Sequence, residues 1–173
     1  MICRICRAKT LERLATPGSP YHYTVSGLSN VFLVGIAVER CVQCGTESPI
    51  IPRIVELNRL IAKDIAERTG PLSGEELRYL RKFAGFSARR FAALLEMSPS
   101  YLSRFENGHH SALGGAADKL ARALAMSFAA DPEYVRKILL QVADDRIQAK
   151  KRTGKEIAPP TFKLVKNRWT KAA

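Results

Sequence analysis

The stretch FSARRFAALLEMSPSYLSRFENG, Phe86–Gly108, decides the fold of the second half of this chain. Ser87 and Ser98 each stand just before an apolar-periodic run, where a hydroxyl oxygen accepts a hydrogen bond from a free amide at a helix start. Pro99 follows Ser98 at the first helical position, where its missing N–H has no intrahelical partner to lose. Phe91, Leu94 and Leu95 are spaced to point inward from one helix, and Leu102 and Phe105 from the next. Met97 plugs the turn between them, and Asn107-Gly108 closes the second helix. The pattern predicts two short helices meeting at a tight turn.

Working outward, Ser73-Gly74-Glu75-Glu76 reads as a capping box, with Leu77, Leu80 and Phe83 as the buried face of a first helix ended by Gly85. Leu120 and Leu124 mark a fourth helix. Asp131-Pro132 starts a fifth, with Val135, Ile138, Leu139 and Val142 on its inner face. Five short helices with such a turn form the bundle that seats a recognition helix in the major groove of DNA.

Phe86–Gly108 closely resembles the Xre (Cro-like repressor) family, ending in Ser103-Arg104-Phe105-Glu106-Asn107-Gly108, an S-R-x-E-N-G run typical of that family. Ala88 departs from it, since the family often has a phosphate-touching glutamine there. The resemblance implies a recognition helix at Ser98–Gly108. With Leu102 and Phe105 facing inward, Ser100, Tyr101, Ser103 and Arg104 face outward. Arg104 has the two-pronged head that grips guanine O6 and N7, and Ser100 lies at the N-terminal end that meets base edges. Ser87, Arg89, Arg90, Ser98 and Asn107 complete the expected DNA-binding set, chiefly as phosphate contacts. The competing reading of Arg104 is an internal ion pair with Glu106 or a neighbouring helix.

All four cysteines fall in two C-x-x-C pairs, Cys3/Cys6 and Cys41/Cys44. Two such turns supply a tetrahedral, all-thiolate shell for one structural Zn2+ per chain, with no position left for water. Gly45 follows the second pair, where a left-handed residue is wanted, but Arg7 follows the first and weakens the expected geometry there. Between the pairs, Tyr21–Val25 alternates like a strand, Gly27–Asn30 supplies a turn, and Val31–Val38 reads as a second strand. The whole describes a zinc ribbon. After Pro52, Ile54, Leu57, Ile61 and Ile65 recur at helical spacing up to Gly70-Pro71, as a spacer helix or part of the ribbon's core.

The 173 residues carry 28 basic against 16 acidic side chains, a net charge of +12 that favours polyanionic partners. Ala149–Ala173 alone holds eight basic and one acidic residue, so a basic tail is expected, either a DNA arm or a solvated extension. Its Phe162–Trp169 piece is apolar enough to dock on something. No run of about 18–20 apolar residues spans a membrane and no secretory signal is evident, so a cytoplasmic location is expected. His22, His109 and His110 form no constellation with a nucleophile, which argues against an enzyme.

These features predict an α+β chain: a zinc-ribbon domain with spacer helix (1–70), a helix-turn-helix domain (71–147) and a basic tail (148–173). Ribbon and helix-turn-helix in this order resemble the MqsA-like antitoxins of bacterial type II toxin–antitoxin systems. That resemblance implies Cys3, Cys6, Cys41 and Cys44 as zinc ligands and Ser100 and Arg104 as base readers. It also implies a homodimer on a palindromic operator, and a ribonuclease toxin bound at the zinc domain. A stand-alone regulator with a structural zinc module is the competing expectation. The fifth helix is the candidate dimer surface, or else closes the monomer's core.

Overall fold

The computed structural model describes residues 2–110, 113–127, 133 and 161–171, and the chain is α+β. It divides into two units, Met1–Leu57 with Ala158–Ala173, and Asn58–Ile157.

Among the described residues the first unit carries seven strands: β1 (Thr10–Leu14), β2 (Tyr21–His22), β3 (Phe32–Val34), β4 (Ala37–Cys41), β5 (Glu47–Ile50), β6 (Thr161–Val165) and β7 (Arg168–Lys171). They form a three-stranded antiparallel sheet ordered β1-β4-β5 and a four-stranded sheet ordered β2-β3-β6-β7, in which β3 and β6 run parallel.

Two strand expectations change. The strand expected over Tyr21–Val25 stops at His22, because Thr24–Ser26 winds into a 3-10 turn closed by Gly27 at φ 79. The run Val31–Val38 is two strands in different sheets, broken at Gly35. Gly35 has φ 77, and a Cβ there would lie 2.9 Å from the Leu164 carbonyl oxygen, so both the bend and the approach of β6 require glycine.

The basic stretch read as a tail is corrected over Thr161–Lys171, which is a β-hairpin paired to β3. Lys166 and Asn167 take φ 47 and 60, the left-handed pair that a two-residue type I′ connection demands. Tyr21, Leu33, Phe162 and Trp169 are buried on one face of the four-stranded sheet, and the Trp169 Nε1–H donates to the Pro52 carbonyl at 3.0 Å. Local periodicity cannot show this hairpin, because its partner strand lies at the other end of the chain.

The second unit contains α1 from Asn58 onward (the helix runs Ile54–Glu67), α2 (Gly74–Phe83), α3 (Ala88–Leu94), α4 (Pro99–Glu106) and α5 (Gly115–Ser127). On α1, Leu57, Ile61 and Ile65 are buried as expected, but Ile54 is exposed. Arg122 of α5 fixes the other end of this helix. Its guanidinium donates to the carbonyls of Ile65 (2.8 Å), Arg68 (2.8 Å) and Gly70 (2.8 Å), and pairs with Asp118 at 2.7 Å. Asp118 also accepts from the Leu72 amide at 2.6 Å. The orphan carbonyls at the end of α1 are thereby satisfied from a buried side chain.

The fourth helix marked by Leu120 and Leu124 is α5, and that network sets which of its sides is buried. Leu120 is exposed and Leu124 half-buried, while Asp118, Ala121, Arg122, Ala125 and Met126 are buried. On α3 the buried face centres on Phe91, Ala92 and Leu95, which turns Leu94 out to solvent. Of the helix expected from Asp131 only Glu133 is described; Val135, Ile138, Leu139 and Val142 lie outside the described residues, as do residues 148–160.

Candidate functional site

Pairing of β1 with β4 sets Thr10 opposite Cys41 and so brings the two C-x-x-C turns together. The turns have the same construction. The Arg7 amide donates to the Cys3 carbonyl at 3.0 Å, as the Gly45 amide does to Cys41 at 3.2 Å. Arg7 has φ 60 and Gly45 φ 69, so arginine adopts the left-handed conformation that glycine takes freely. The missing glycine costs backbone strain of about 1–2 kcal/mol, not geometry.

The four sulfurs all lie within 4.8 Å of one another, with Cys3–Cys44 at 3.7 Å and Cys6–Cys41 at 3.3 Å. A tetrahedron of thiolates about 2.3 Å from zinc has edges of about 3.8 Å, so the quartet fits one such ion. Amides aim at the sulfurs: Ile5 N–H donates to Cys3 Sγ at 3.4 Å and Gln43 N–H to Cys41 Sγ at 3.4 Å. The Thr46 hydroxyl lies 3.2 Å from Cys44 Sγ, and with the Thr46 backbone it holds the Cys44 thiol down at about 6. Cys6 goes the other way, to about 12: the Ala8 amide lowers it, but shared hydrogen bonding with Cys41 and burial outweigh that. Sequence reasoning missed Thr46, whose only signal is its place two residues after the last cysteine. Among the described residues the cluster is cysteine only, with no histidine or carboxylate in it.

The helix-turn-helix is built from the expected caps. Ser73 and Glu76 form the capping box of α2, Ser87 accepts from the Arg90 amide at 3.3 Å, and Ser98 accepts from the Tyr101 amide at 3.1 Å. Between α3 and α4, Glu96 turns the chain at φ 53. The inner end of α4 is fixed by a buried ion pair. Arg81 of α2 grips Glu106 through two hydrogen bonds of 2.6 and 2.8 Å and reaches the Phe86 carbonyl at 3.1 Å. Helix α2 also starts hard against the end of α4, since a Cβ on Gly74 would lie 2.1 Å from the Phe105 carbonyl oxygen.

Ser87, Arg89, Arg90, Ser98, Ser100, Tyr101, Ser103, Arg104 and Asn107 are all exposed. Ser100, Tyr101, Ser103 and Arg104 share the outward side of α4. The alternative in which Glu106 neutralises Arg104 does not hold, because Arg81 occupies Glu106. Among the described residues Arg104 makes no ion pair. Asn107 donates back to the Ser103 carbonyl at 2.8 Å, and the Tyr101 ring stacks on His110 with centroids 4.7 Å apart.

The profile of a family described as a helix-turn-helix domain matches residues 74–131, a span that takes in α2, α3, α4 and α5. No curated protein and no solved structure matches the chain. No helix among the described residues is long and apolar enough to cross a membrane.

Proposed function

We propose that this chain is a sequence-specific transcriptional repressor that reads DNA with α4. The observation that carries this reading is the division of labour on that helix. Leu102, Phe105 and Glu106 are buried, with Glu106 held by Arg81, which leaves Ser100 and Arg104 free to meet base edges. Ser87, Arg89 and Arg90 at the start of α3 are available to phosphates. A single such module reads few base pairs, so two copies on a palindrome are expected, with half-sites about one helical turn apart.

The test is to select bound duplexes from a random pool, then measure Arg104→Ala on the selected and on scrambled DNA. Selected DNA should lose about 1–3 kcal/mol of binding, while scrambled DNA is nearly unaffected. Equal loss on both would remove Arg104 from base reading.

The four cysteines would hold one structural zinc ion, which supplies folding free energy to a small unit and performs no chemistry on a substrate. This closed thiolate shell supports a non-enzymatic, cytoplasmic protein. The order of the modules, thiolate cluster before helix-turn-helix, supports the finer reading of an antitoxin that neutralises a ribonuclease toxin through the first unit and represses its own operon. Co-expression with the neighbouring reading frame tests it. A toxic neighbour that co-purifies with this chain supports the antitoxin, and a harmless neighbour leaves a stand-alone regulator.

A further inference from the structure

We propose that the outer face of the β6–β7 hairpin is a second, sequence-independent binding surface for the phosphate backbone of duplex DNA. The proposal rests on the DNA-binding reading above. It adds a contact in the first unit that the helix-turn-helix does not supply.

The register of the hairpin separates its two faces. Phe162, Leu164 and Trp169 share the inner face, with Leu164 opposite Trp169, and Phe162 and Trp169 are buried. Lys163 opposite Thr170 and Val165 opposite Arg168 form the outer face, and all four are exposed. Lys166 adds an exposed cation at the turn. Thr161–Lys171 contains no acidic residue, and among the described residues Lys163, Lys166 and Arg168 make no ion pair.

A cationic run in a solvated tail needs none of this construction. Here the charges stand on paired strands anchored by two buried aromatic rings and by the Trp169 bond to Pro52. Arg53 donates to the Asn167 carbonyl and holds the turn from beneath. Anchoring the strands fixes the backbone that carries these cations, so less backbone freedom is lost when they meet a regular array of phosphates. A two-stranded ribbon is also a shape that a DNA groove admits. The chain's own helix-turn-helix selects DNA, over an acidic protein, as the polyanion the hairpin meets.

The experiment compares the full-length, zinc-loaded protein with the triple variant Lys163→Ala, Lys166→Ala, Arg168→Ala on a random-sequence duplex of about 30 base pairs, by anisotropy across a salt series. Emission from Trp169, the single tryptophan, reports whether the hairpin is still docked. With three phosphate contacts removed, the slope of log affinity against log salt should shrink by roughly two to three. An unchanged slope with unchanged tryptophan emission overturns the hairpin surface alone. Failure of the wild-type protein to bind any duplex overturns the DNA reading and this proposal together. If the variant instead loses binding to polyglutamate while its duplex slope is unchanged, the surface belongs to an acidic protein partner and the proposal fails. Should the triple variant lose its tryptophan signature, Lys166→Ala alone decides: its side chain lies at the turn, and it should lower the slope by about one.

Discussion

Glu96 and Gly74 mark two places in the helix-turn-helix where glycine is favoured, and only one of them has it. Glu96 holds φ 53 in the turn before α4, a conformation that costs a side-chain-bearing residue about 1–2 kcal/mol. Glu96→Gly should therefore raise stability by up to about 1 kcal/mol, part of the relief being offset by glycine's greater freedom in the unfolded chain. Gly74→Ala should lose about 1–3 kcal/mol or more, since its new methyl meets backbone that cannot swing aside. Thermal unfolding of both variants checks the two signs. The capping serines were legible in the sequence because their hydrogen bonds reach only three residues along the chain. The need for Gly74 was not, because what it touches lies in another helix. At the cysteine cluster, Thr46 lowers Cys44 from the ordinary 9.0 to about 6 and so makes it a thiolate at neutral pH. In the metal-free protein this contribution to stability is complete above about pH 9 and is lost as pH falls through about 6. After chelation, iodoacetamide at neutral pH should modify Cys44 first and Cys6 last, resolved by peptide mass. Thr46→Val should slow Cys44, and zinc should protect all four.

Among the elements, α1 and α5 share one joint. Arg122 and Asp118 are both buried, and between them they satisfy the end of α1 and the amide of Leu72. Arg122→Met should cost about 3–5 kcal/mol, because it strands a buried carboxylate and several carbonyls at once. Adding Asp118→Asn to that variant should recover part of the loss; chemical denaturation followed by circular dichroism reads both. Apolar periodicity located α2, α3 and α4, whose buried faces are mostly apolar, but it turned Leu94 of α3 inward and gave no sign that Glu106 of α4 is buried. It gave no sign of the buried side of α5, where three charged residues, Asp118, Lys119 and Arg122, take interior positions. It likewise ran β3 and β4 together, since a β-branched run says nothing of the sheet to which each half belongs.

At the scale of the whole molecule, nothing in the sequence signals that residues 161–171 pair with strand β3. The first unit needs residues from both ends of the chain. Deleting residues 161–173 should uncover Leu33 and remove the burial of Phe162 and Trp169, a loss of about 3–6 kcal/mol. The truncated protein should yield its zinc to a chelator faster, while the far-ultraviolet helical signal of the second unit persists. Trp169→Ala should give a milder form of the same phenotype, at about 3–5 kcal/mol. The parallel pairing of β3 with β6 also orders events during synthesis. On the ribosome the cysteine turns emerge first and the helix-turn-helix has time to fold next. The four-stranded sheet closes only when the hairpin has left the exit tunnel, so the unit made first is the last to be finished.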